Sequence, residues 1–173
     1  MTLMGMVWPV FFPVLGLVIS LVHIYLKQYN GLEALETVLV WQFVVGLGLS
    51  YLYGGLGHLF SPDQVAASIG WPAGSPFQRE VGIWDFSMGI AAILCLLFRN
   101  EGYFTAVLIG IGIFSVGAGL GHVYELVARG DFAANNAGPV MYMDIIYPLI
   151  LAALLIMYHQ RKTRELSPDK GIS

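Results

Sequence analysis

An all-α integral membrane bundle of five transmembrane helices is the fold class the sequence predicts, and three observations predict it. Only 11% of the 173 residues are charged and 57% are hydrophobic, whereas soluble domains carry roughly 25% charged residues. Four apolar segments approach or exceed the ~20 residues that span hydrocarbon, and a fifth does so once its polar entrance is included. The third observation is an internal repeat. Residues 44–60 read VVGLGLSYLYGGLGHLF, and residues 108–124 read LIGIGIFSVGAGLGHVY. Gly46, Gly48, Gly55, Leu56, Gly57 and His58 match Gly110, Gly112, Gly119, Leu120, Gly121 and His122. One unit used twice constrains the architecture, and each unit here is an apolar helix ending on a histidine.

The first apolar segment, 4–26, contains Pro9 and Pro13 in its early turns. No Lys or Arg precedes it, no small-residue cleavage site follows, and it exceeds the ~7–15 residues of a signal-peptide core. It is expected to be a retained helix packed outside the others. The second segment, 37–60, carries the first repeat copy. Ser61-Pro62-Asp63-Gln64 then has the pattern of a capping box with Pro at the first helical position. It predicts a short interfacial helix over 63–69, with Val65 and Ile69 on one face and Trp71 at headgroup level. The third segment is 80–98, and the fourth, 104–127, carries the second copy. A polar connection, 129–138, offers Asp131 as a cap before the fifth segment, 139–158. The chain is therefore expected to be one transmembrane domain, 1–159, followed by a soluble tail, 160–173. Residues 37–98 and 104–158 form two parallel-related hairpin repeats, related by a pseudo-twofold axis along the membrane normal.

Lys27, Arg99, Arg161, Lys162, Arg164 and Lys170 fall on one side of these segments, and Arg79 and Arg129 on the other. By the positive-inside bias the first group is cytoplasmic. The C-terminal tail then faces inward, and the N-terminus, 61–79 and 128–138 face outward from a cell membrane. The net charge of -3 is small and spread out, so the partners expected are the lipid bilayer, other membrane subunits or further copies of the chain, and not nucleic acid.

The candidate site follows from the repeat. Asp85 lies five residues after Glu80 and Asp144 five after Pro139, about 7–8 Å along their helices at the standard rise. His58 and His122 lie near the outer ends of their own segments. Two His–Asp pairs, His58 with Asp85 and His122 with Asp144, are therefore expected at one depth, with Glu80 and Glu125 nearer the surface. Ionisable groups inside a membrane segment are costly and usually face a bundle interior or cavity. Two readings stay open: the pairs tie helices together as buried hydrogen bonds, or they build a ligand, proton or metal site. The glycines likewise serve close helix packing or leave room for a flat ligand beside His58 and His122. His23 and His159 are expected at the interface.

Several chemistries fall away. Cys95 is the only cysteine, which excludes a self-contained dithiol relay and an intrachain disulfide. No P-loop, dinucleotide fingerprint or serine nucleophile elbow is present. His122 and Glu125 share a helical face, but the counterpart of Glu125 in the first copy is Ser61, which argues against a ferritin-like dimetal site.

The run Gly55-Leu56-Gly57-His58-Leu59-Phe60-Ser61-Pro62-Asp63, with Ala66-Ala67-Ser68-Ile69-Gly70 and Gly82, resembles the DoxX-like group of small polytopic membrane proteins. The resemblance covers residues 44–98 and weakens through 158. It implies a four-helix membrane bundle and, from some members, quinone-linked oxidation of sulfur compounds. This chain departs from the group in its extra N-terminal helix and in lacking cysteine chemistry.

Three functions are carried forward. In the leading one, an outer-leaflet pocket binds a small lipophilic ligand such as a quinone. His58 and His122 hydrogen-bond it, Asp85 and Asp144 exchange protons, and Trp84 and Tyr51 line the cavity. In the second, His58 and His122 are axial ligands of a b-type haem or bind a transition metal. In the third, the chain is an accessory subunit of a larger membrane complex.

Overall fold

The computed structural model describes residues 3–167, with side chains from Val7 onward. It is all-helical, with no strand among the described residues. Helix α1 spans Leu3–Lys27 and ends where Gln28 turns left-handed, φ 55°. Helix α2, Gly31–Phe60, runs 30 residues and is opened by an extended Asn30. Its middle, Gln42–Leu49, is wound as a π-helix whose residues are all buried except Leu49. Such wide turns are rare and recur at functional places. Here the widened turn is pressed from one side by Gly16 of α1, where a Cβ would meet the Trp41 carbonyl oxygen at 2.9 Å.

Helix α3, Pro62–Ile69, is the short helix read from the sequence. It stops at Gly70, which takes φ 86° while the Trp71 N–H reaches back to the Ala66 carbonyl at 2.9 Å. The expected capping box is not formed: Ser61 makes no side-chain cap bond. Pro62 occupies the first turn, and Asp63 instead accepts the Gly74 N–H at 2.8 Å, holding the following loop. Helix α4, Phe77–Ile93, starts three residues before its predicted entry and runs into a 3₁₀ turn, Leu94–Leu96. Helix α5, Glu101–Arg129, is capped by Asn100, which accepts the Tyr103 N–H. Helix α6, Pro139–Leu166, opens on Gly138 and Pro139. Asp131, expected as its cap, accepts the Ala133 N–H at 2.9 Å and shapes the connection instead.

Helices α2, α4, α5 and α6 form a ring in that order, and α1 packs outside it on the π stretch of α2 and on α6. Trp41 donates to His23 Nδ1 at 2.9 Å and Gln42 donates to the Pro13 carbonyl at 3.2 Å; His23 thus serves to dock α1. His159 lies 2.6 Å from Glu101. The close-packed apolar core fills one half of the ring, around Leu39, Phe43, Phe104, Ile111 and Leu151, with Phe43 stacked on Phe104 at 5.3 Å. The half nearer His58 and His122 is left for a cavity.

Four helices are long and apolar enough to cross a membrane: Val7–Lys27 of α1, Gly31–Phe60, Glu101–Arg129 and Pro139–Leu166. Helix α4 is shorter, 17 residues, because it ends in the 3₁₀ turn before reaching the predicted boundary at Phe98.

Candidate functional site

The cavity measures about 1210 Å³. All four ring helices line it, and α3 closes one side through Val65, Ser68 and Ile69. His58, Asp85, His122 and Asp144 all border it, together with Tyr51 and Glu125. Six of the eight candidate residues therefore border one cavity.

The densest side-chain hydrogen bonding lies around α5, α6 and the connection between them. Asn136, fully buried, lies in the connection before α6 and donates from Nδ2 to the Asp131 carbonyl at 2.8 Å and the His122 carbonyl at 3.4 Å. Those two bonds leave its Oδ1 to face His122 Nδ1 at 2.8 Å. An amide oxygen only accepts, so His122 must carry its proton on Nδ1. His122 Nε2 lies 3.8 Å from Asp144 Oδ2. Ser115 donates to Asp144 Oδ1 at 3.3 Å, and its oxygen is 2.9 Å from the Tyr51 hydroxyl. With the Ser115 proton directed to Asp144, Tyr51 is the donor to Ser115. A directed chain thus runs from Tyr51 of α2 through Ser115 of α5 to Asp144 of α6.

The first hairpin differs. His58 Nδ1 is 2.6 Å from Gln78 Oε1, so the expected His58–Asp85 pair is not made. The cause is the early start of α4, which puts the Gln78 amide beside His58 and carries Asp85 further along the helix. There Asp85 rests against Gly55, where a Cβ would lie 3.1 Å from the Asp85 Cβ. Asp85 is only 8% exposed, accepts no hydrogen bond from the described residues, and its Oδ1 is sealed from solvent.

Two expected lining residues lie elsewhere. Helical spacing turns Glu80 and Trp84 to the opposite face of α4 from Gln78, Gly82 and Asp85. Glu80 meets Arg79 at 3.6 Å on the exposed surface, and Trp84, 40% exposed, packs on Phe114 at 5.6 Å between centroids. Glu125 borders the cavity and also pairs with Arg129 at 3.2 Å. Among the described residues, no three of His, Cys, Asp and Glu come together closely enough to hold a metal ion.

The two connections flanking the cavity are laid on each other. The Asn135 N–H donates to the Ser68 carbonyl, and its Nδ2 donates to Ser68 Oγ, both at 3.0 Å. A protein-family model matches residues 6–164, from α1 into the last turns of α6. The chain belongs to DUF6790, a family of unknown function. No curated protein and no solved structure matches it. Every residue of the cavity lies inside the DUF6790 match.

Sequence reasoning missed Gln78, Ser115, Asn136 and Tyr147. Ser115 carried a usable signal, since it stands at the repeat position equivalent to Tyr51. Tyr147, which donates to Gln42 Oε1 at 2.6 Å, and Asn136 gave none, because an isolated tyrosine in an apolar helix or an asparagine in a polar loop is ordinary.

Proposed function

We propose that this protein is a multi-pass membrane protein whose His/Asp cavity binds a small lipophilic ligand. A quinone-type redox carrier is the class that the DoxX-like resemblance of residues 44–98 implies. Asp85 is the single observation that carries the reading. A buried carboxylate with no protein partner is expensive in a bilayer, about 2.5–3.5 kcal/mol at a helix centre on insertion scales. Asp85 also borders the cavity, so a ligand held there would meet its carboxyl group.

The five-span, two-hairpin arrangement belongs to the same proposal. Helix α4 sits within the ring between α2 and α5, which supports reading it as a fifth crossing. Equivalent positions of the repeat make equivalent contacts. A Cβ at Gly55 would lie 3.1 Å from Asp85 Cβ, and one at Gly119 would lie 3.2 Å from Asp144 Cβ. Both histidines place Nδ1 on a side-chain amide oxygen. Tyr51 and Ser115, sixty-four positions apart like the repeats themselves, hydrogen-bond each other, as residues beside a pseudo-twofold axis would. The lysine and arginine distribution favours a cell-membrane orientation with the C-terminus cytoplasmic and the cavity toward the outer leaflet.

The test is native mass spectrometry of protein extracted with its surrounding lipid, together with its absorption spectrum. The expected result is a colourless protein carrying a lipophilic small molecule. A Soret band would replace the reading with haem ligation by His58 and His122. An empty protein found only with other subunits would replace it with an accessory role.

A further inference from the structure

The second hairpin turns two polar atoms to the cavity that its own hydrogen bonds do not use, His122 Nε2 and Asp144 Oδ2. Asn136 fixes the His122 proton on Nδ1, and Ser115 occupies Asp144 Oδ1. Both residues line the cavity, and neither remaining atom is sealed. Among the described residues, the sealed side-chain atoms without a partner are Gln78 Nε2, Asp85 Oδ1 and Asn135 Oδ1. The separation of His122 Nε2 and Asp144 Oδ2, 3.8 Å, is too long for a hydrogen bond between them. An oxygen about 2.8 Å from each fits against that gap. The first hairpin offers no such gap, because His58 turns to Gln78 and makes no pair with Asp85.

Resting on the reading of this cavity as a site for a quinone-type ligand, we propose that the second hairpin alone holds one ligand oxygen, between His122 Nε2 and Asp144 Oδ2, and holds it best as the hydroxyl of the reduced, hydroquinone form. With no proton, the pair sets a bare nitrogen opposite a carboxylate; with two, it carries an unbalanced positive charge inside an apolar bundle. One proton leaves it neutral overall, as imidazolium with carboxylate or as imidazole with carboxylic acid. The pair then presents one donor and one acceptor 3.8 Å apart. A hydroxyl meets both at once, accepting from one and donating to the other. A quinone carbonyl accepts from the donor and keeps one bond of the two, so the oxidised form still binds, more weakly. An ether oxygen carries a carbon where the hydroxyl proton belongs, and carbon cannot approach the acceptor to hydrogen-bond distance. Beyond the pair, Leu47, Ile113, Phe114, Val140 and Met143 continue the lining and suit an apolar ring and tail.

Three probes sharing one ring and tail test this: decylhydroquinone, decylbenzoquinone and decylhydroquinone dimethyl ether. Binding is measured by calorimetry without oxygen, on the full-length protein in lipid nanodiscs, with empty nanodiscs subtracted. The hydroquinone should bind about tenfold or more tightly than its ether, the worth of a hydrogen bond to a charged group, with the quinone between them. The ratio of hydroquinone to ether cancels changes in cavity shape that weaken both. Asp144→Leu and His122→Leu, checked for folding by circular dichroism, should each shrink that ratio severalfold, and His58→Leu should leave it. The wild-type series decides the preference even if a variant fails to fold. Ether or quinone binding as tightly as the hydroquinone would overturn the inference while leaving the ligand cavity standing. A ratio unchanged in a folded Asp144→Leu or His122→Leu, or lost in His58→Leu, would remove the second hairpin as its cause. No binding by any probe would overturn the inference and the ligand reading together.

Discussion

Asp85 and Asp144 occupy related positions in the two hairpins, yet their replacement by leucine should move stability in different directions. Asp85 lies eight residues into the 17-residue α4, about 12 Å along it and close to its midpoint. The bilayer-centre value for a carboxylate, about 2.5–3.5 kcal/mol, is an upper value for this position. No hydrogen bond to Asp85 is lost on substitution, and the bulkier leucine can grow into the adjacent cavity. Asp85→Leu should raise the stability of the ligand-free protein, by at most about 2–3 kcal/mol. Asp144→Leu relieves a similar charge but loses the Ser115 hydrogen bond and leaves His122 Nε2 facing no polar group on α6. Each buried polar group left without a partner costs about 1–3 kcal/mol, so Asp144→Leu should lie below Asp85→Leu by at least that amount. Equilibrium unfolding in mixed micelles, on protein stripped of ligand, measures both. An Asp85→Leu variant no more stable than Asp144→Leu would refute the reasoning that Asp85 is the uncompensated member of the pair.

The remaining predictions concern packing, pairing and orientation. Gly55→Ala should destabilise by about 1–3 kcal/mol through overpacking, because the new Cβ meets the backbone of α4 at Phe86 N, 2.9 Å, and Gly82 O, 3.0 Å. Gly117→Ala meets nothing within 4 Å and should be neutral or slightly stabilising in the same unfolding assay. A double-mutant cycle on His58 and Gln78 should show coupling of about 0.5–3 kcal/mol, and one on His58 and Asp85 a smaller value; the reverse order would restore the pairing expected from sequence. A C-terminal reporter should be active only in the cytoplasm, and activity confined to the outside would place the cavity in the inner leaflet.

How far the sequence could be read depends on which forces act along a helix and which act between connections. Apolar length located most of the helices, and His58, His122, Asp85 and Asp144 border one space, as ionisable groups in apolar helices usually face a bundle interior or cavity. Helix ends were less legible. Helix α2 begins at Gly31 and α4 at Phe77, since polar first turns with Glu33 and Gln78 extend helices beyond their apolar stretch. That small shift is what exchanged Asp85 for Gln78 as the partner of His58. The π-helical stretch gave no periodic signal, as it depends on α1 pressing against Trp41 and Gln42. Asn136 was invisible for a related reason: its role rests on backbone carbonyls that only the folded connection brings together. Trp84 and Glu80 were misplaced because adjacency in sequence to Asp85, or to the membrane entry, says nothing about the helical face.

The central claim is that the cavity is occupied in the membrane by a small lipophilic molecule. The most direct measurement compares the ligand content of the wild-type chain with that of Gly121→Phe, both extracted in native lipid and analysed by mass spectrometry. Gly121 borders the cavity, and a side chain there meets nothing within 4 Å at its first carbon, so the substitution adds bulk at the cavity border without pressing its first carbon on a neighbouring helix. The account predicts near-stoichiometric ligand in the wild type and its loss from a folded Gly121→Phe. A wild-type chain that is empty, or a Gly121→Phe chain that keeps its ligand, would contradict it.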